Sequence, residues 1–175
     1  GLITYREECL LVDANSSASS REFIAIVIAH ELSHQWFGNL VTMRWWDDLW
    51  LNESFASLMS YVAVDALYPD WNIWQTFATH EVVQALNRDQ LGDVQAVRCD
   101  VSHPDEIGAL FDPAIVYAKG SRLLVMLRQY IGETAFRAGL KLYFDTYAYQ
   151  NTVGADLWSS LALVSHVDIS GFMQP

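Results

Sequence analysis

Residues His30–His34 read HELSH, and Trp50–Phe55, a short way downstream, read WLNESF. HELSH closes a stretch, 21–36, in which Phe23, Ile24, Ile26, Val27, Ile28, Leu32 and Trp36 leave few polar positions. That pattern predicts one helix, apolar nearly all round and therefore buried. Ser17, Ser19 or Ser20 can cap it, with Ser19 and Glu22 at capping-box spacing, and Gly38-Asn39 is a stop signal. On a helix, positions four apart share a face, so His30 and His34 can aim two imidazoles at one point, with Glu31 beside it. A pair of histidines at this spacing is often no more than two unrelated core or surface residues. Inside an apolar helix, however, two imidazoles and a carboxylate need a partner, and a metal ion is the simplest one. Two zinc ligands plus a general base for a metal-held water have this form. A catalytic zinc needs a third protein ligand and an open fourth position; Glu53, on the following helix, is the candidate.

Outward from this core the chain reads as mainly α with a little β (α+β). Leu2–Arg6 alternates like a short strand, which Leu10–Val12 could continue. After an extended link at 40–46, a second helix is expected from Asp47 or Asp48 to Leu67, and a third from Trp71 to about Asn87. Residues 88–112, with Gly92, Pro104 and Gly108, read as a long loop with at most a strand near 94–97. Further helices are expected at 113–131, 133–149 and 156–165. The chain thus divides into a strand remnant (1–12), a pair of metal-site helices (19–67) and a helical remainder (71–165).

Composition excludes several classes. Of 175 residues, 52% are apolar and 13% aromatic, which describes a folded, core-rich protein. Twenty-one acids face 10 bases, a net charge of -11 that phosphate backbones would repel, so nucleic acid is not an expected partner. No apolar run approaches the ~20 residues that span a bilayer. Cys9 and Cys99 stand far apart outside any CxxC, as free thiols of a reducing compartment do, and a cytoplasmic location is expected.

The run HELSHQWFGNLVTMRWWDDLWLNESFA resembles the zinc signature of the aminopeptidase N family, the gluzincin aminopeptidases, with its HExxH-x18-E spacing. Gly1, Ile3, Tyr5, Arg6 and Glu7 match that family's G-x-I-x-Y-R-E, and Tyr117, Lys119 and Gly120 its Y-x-K-G helix. The resemblance runs to about Gly154. It implies a thermolysin-like zinc peptidase catalytic domain, here lacking its N-terminal β part. It also implies one Zn2+ held by His30, His34 and Glu53, with Glu31 as the base. Tyr117 would donate to the oxyanion; without the resemblance it reads as a core tyrosine. Asp48 would either orient a ligand histidine or simply cap the second helix.

The implied activity is that of a metalloprotease hydrolysing the N-terminal bond of peptides with a free amine. The family's G-x-M-E-N motif, whose acid grips that amine, belongs just upstream of Gly1, and flanking domains are expected beyond both ends. Three readings stand side by side: the catalytic core of a zinc aminopeptidase; a folded, zinc-binding piece without turnover of its own; and the epoxide-hydrolysing branch of the wider family, which Trp45-Trp46-Asp47-Asp48-Leu49-Trp50 disfavours.

Overall fold

The computed structural model describes residues 2–173, so Gly1, the first position of the G-x-I-x-Y-R-E match, lies outside it. Helix α1 spans Ala18–Ser33, beginning and ending three residues earlier than its apolar pattern suggested. Ser17 settles the start: its side chain accepts the Ser20 amide at 3.1 Å, so the Ser19–Glu22 box does not form. Past His34 the chain turns tightly through Gly38, whose φ of +127° suits glycine alone. A Cβ there would also press on the Asn52 amide at 3.3 Å. The Gly38 amide then bonds Val41 O at 2.9 Å, and strand β1, Val41–Met43, follows.

A 3-10 turn at Trp46–Asp48 leads into α2, Trp50–Leu67, close to the expected second helix. Helix α3, Ile73–Phe77, passes through a π turn at Ala78–Val82 into α4, Val83–Asp89. The long loop carries a 3-10 turn, Pro104–Glu106, and a short α5, Ile107–Leu110, with no strand near 94–97, where at most one was expected. A π-helical stretch, Pro113–Lys119, then runs into α6, Gly120–Ile131. Helix α7 covers Glu133–Tyr147, α8 Gly154–Ser165 and α9 Ile169–Met173. The chain is therefore mainly α. Among the described residues, no helix is long and apolar enough to cross a membrane.

Two expectations need correcting. Residues 2–6 and 10–12 form no strand; Glu7–Cys9 is a 3-10 turn, because an extended segment becomes a strand only with a neighbour to bond to. The β structure lies elsewhere: β1 pairs in parallel with β2, Gln150–Thr152, in register Val41↔Gln150. Nor is α1 buried all round. Among its residues only Ile24 is fully buried, while Phe23 and Leu32 are about half exposed, as is Trp36 just beyond. Helix α2 covers one face, and Ile28, Leu32, Trp36, Ala63, Leu67 and Phe144 line an apolar groove of about 600 Å³. Cys9 and Cys99 are free thiols, as expected.

The core centres on α2. Phe55 is wholly buried, stacked on Phe37 at 4.6 Å between ring centres and flanked by Trp50 and Phe136. This stack ties the turn after α1 to the first turns of α2. Phe55→Ala should destabilise the chain by about 3–5 kcal/mol, the usual range for an emptied aromatic core site. Urea unfolding would show it as a lower midpoint; an unchanged midpoint would move the centre of the core elsewhere.

Candidate metal centre

His30 sits in the last turn of α1 and His34 caps it, so the i, i+4 geometry survives although the helix ends between them. Glu53 lies in the first turn of α2. One oxygen, Glu53 Oε2, stands 3.2 Å from His30 Nε2 and 3.4 Å from His34 Nε2, and the two imidazole nitrogens are 3.1 Å apart. Donor atoms each ~2.0–2.1 Å from a tetrahedral zinc are separated by roughly 3.3 Å from one another, which is the triangle found here. Two unprotonated imidazole nitrogens pointed at each other repel unless a proton or a cation lies between them. Among the described residues this is the one group of three or more His, Cys, Asp or Glu side chains placed to hold a metal ion. The donor set fits the zinc that the sequence suggests.

Burial raises the Glu53 pKa, but hydrogen bonds and charge from both imidazoles more than reverse this and bring it down to about 2. Burial lowers that of His34; the Glu53 bond, the Phe37 carbonyl and the charge of Glu53 and Glu31 outweigh it and raise the group overall. His34 Nδ1 lies 3.0 Å from Phe37 O, so the turn after α1 fixes the ring and, when Nδ1 carries the proton, leaves Nε2 free to ligate.

The other named residues fall unevenly. Glu31 is half-buried on the same turn, close enough for its charge to act on His34 and on Tyr117. Tyr117 comes from the π-helical stretch; its ring centre is 5.9 Å from that of His30, and its hydroxyl is near enough for the Glu53 carboxylate to act on it. Burial, then the Glu53 and Glu31 charges, raise its pKa well above the ordinary phenol value and keep the proton on the oxygen. Tyr5 also feels Glu31, after burial, as a rise in its own pKa. All five residues singled out from the sequence, His30, Glu31, His34, Glu53 and Tyr117, thus meet at one place.

Asp48 does not join them. Its buried carboxylate accepts the Trp50 indole N–H at 2.9 Å and faces Arg98 Nε at 3.7 Å, so it orients no ligand histidine. With Asp47, which accepts the Val101 amide at 2.7 Å, it anchors the long loop over the start of α2. The Phe37 carbonyl was missed because a backbone atom leaves no mark in the sequence. The buried hydroxyl of Ser54 was missed too, although its place beside Glu53 was a signal.

Residues 1–175 match the Peptidase family M1 domain. The chain is 62% identical over 174 residues to "Aminopeptidase N" of Lactococcus lactis subsp. cremoris, covering 99% of this chain and 21% of that protein. It is 53% identical to "Aminopeptidase N" of Lactobacillus helveticus, over 99% of the chain and 21% of the relative. To "Leucyl aminopeptidase" of Saccharolobus solfataricus it is 46% identical, over 99% and 22%. The chain spans about a fifth of the length of these relatives.

The paired shifts fix the pH behaviour of the metal-free cluster. Glu53, lowered from 4.5, adds stability above pH 4.5 that is lost as pH falls toward about 2. His34, raised from 6.5, adds stability below pH 6.5 that is lost as pH rises through its folded value. With a chelator present, the stability advantage of the native chain over Glu53→Gln should therefore peak between pH 4.5 and 6.5. Urea midpoints from below pH 4.5 to above pH 6.5 test it, and an advantage that does not shrink below pH 4.5 would contradict the ion-pair reading.

Proposed function

The chain belongs to peptidase family M1, and on that footing we propose that it carries the zinc-binding and proton-transfer centre of an aminopeptidase. The observation that carries this reading is the convergence of His30, His34 and Glu53 to 3.1–3.4 Å with Glu31 and Tyr117 alongside. His30, His34 and Glu53 would hold one Zn2+. When bound, zinc supplies Lewis-acid activation of water and of the scissile carbonyl. Glu31 accepts the proton of the attacking water and passes it to the departing amine nitrogen. Tyr117, held as a neutral phenol, donates its O–H to the carbonyl oxygen as that oxygen gains negative charge. The substrates are peptides with a free N-terminus, the class named by the relatives.

A second reading is that the chain folds and holds zinc without turnover of its own, the grip on the substrate amine and the walls of the site being supplied by other parts of a longer protein. The chain's share of its relatives favours it, since about a fifth of their length is represented. The bare apolar face of α1 agrees with it.

Residue roles separate by substitution. His34→Ala should strip zinc, whereas Glu31→Gln should keep a full equivalent and abolish turnover; loss of zinc in Glu31→Gln would move that residue into the ligand set. Tyr117→Phe should lower kcat by about 10²–10³, as removal of one oxyanion donor does.

The test of function pairs a short peptide with its N-acetylated twin, both offered to the zinc-loaded chain, with products read by mass spectrometry. Stepwise trimming of the free peptide alone supports an aminopeptidase whose amine recognition resides in these residues. Cleavage of neither supports the second reading. Cleavage of both would exclude amine recognition.

A further inference from the structure

We infer that Ser54 is a positioning residue for Tyr117, its hydroxyl pinning the π-helical turn that brings the phenol to the ligand cluster. The inference rests on the role given to Tyr117 above. Ser54 follows Glu53 on α2 and is wholly buried, so its hydroxyl must find a partner inside the protein. It donates to Val116 O at 2.5 Å, a bond between residues 62 positions apart and one residue before Tyr117.

The π geometry explains the choice of acceptor. In an α-helix the Gly120 amide would bond Val116 O; here it reaches back to Ile115 O and also meets Tyr117 O. Val116 O, without that amide, takes the Ser54 hydroxyl. Single π turns are uncommon and recur at functional sites because they rotate one side chain out of the α-helical sequence of directions. Gly120 is the other half of the device: a Cβ there would lie 2.0 Å from Ser54 Oγ, so the serine reaches the backbone only across glycine. One hydrogen bond thus links the residue after a metal ligand to the residue before the phenol, and sets the distance between the two.

The pair can be exchanged. Ser54→Gly with Gly120→Ala moves a methyl from one helix to the other and roughly balances helix propensity while removing the hydroxyl. In the zinc-loaded protein, Ser54→Ala and the exchanged pair should each lower kcat about ten- to a hundredfold, the scale of a displaced catalytic group. KM and zinc content should stay as in the native protein. In a Tyr117→Phe background the same changes should cost nothing further, since a residue acting through the phenol has nothing left to act on. Native kcat in the exchanged pair would show that Ser54 only fills space. Losses that multiply with Tyr117→Phe, or loss of zinc, would also overturn the inference.

If the native protein releases no N-terminal residue, the functional reading fails by itself. The 19F resonance of 3-fluorotyrosine incorporated at position 117 then decides. A shifted or split resonance in Ser54→Ala supports the positioning role, and an unchanged one ends it.

Discussion

A carboxylate held between two imidazoles is the constraint on which the rest of the chain depends. Glu53 is taken largely out of water, at a cost that its bonds to His30 and His34 offset. The three side chains come from two helices, so the cluster exists only while α1 and α2 keep their spacing. The packing around the junction serves that end. Phe37 stacks on Phe55, Gly38 lets the backbone turn past the Asn52 amide, and the Phe37 carbonyl fixes the His34 ring.

A second layer ties the remaining groups to the same junction. Glu31 follows His30 on the helix and needs no separate support. Tyr117 arrives from far along the chain; its hydroxyl feels the Glu53 carboxylate, and the carbonyl before it accepts from Ser54. Glu53 and the phenol are therefore not independent; a shift of α2 moves both. On the other side, Asp47 and Asp48 clamp the loop around Arg98 and Val101 to the start of α2, fixing where Glu53 emerges.

What could be read in advance follows the range of the forces involved. His30 and His34 were legible because helical periodicity is local, and Glu53 because it opens the next helix. The second helix was predicted nearly to its ends, since Leu49 to Leu67 is apolar on most sides and Tyr68-Pro69 stops it. Tyr117 was legible only through resemblance: nothing in VYAKG predicts a π turn, and an α-helical register would have aimed the phenol differently. Burial of α1 was overestimated because an apolar stripe states what a helix could bury, not what lies against it. Asp48 was misplaced for a similar reason, since its true partners, the Trp50 indole and Arg98, were equally compatible with its sequence position. The small sheet escaped notice because three-residue strands show too little alternation to distinguish from loop.

That small sheet has a kinetic side. The Asn151 side-chain amide reaches Met43 O across 108 positions, and the strands run in parallel, so no local hairpin can start them. Closing such a loop carries an entropy cost that few strand bonds can meet before the intervening helices have collapsed. The ladder therefore depends on the helices between Met43 and Gln150 to bring its two strands together. The ladder acts as a clasp that joins the turn beneath His34 to the chain just past the far end of α7.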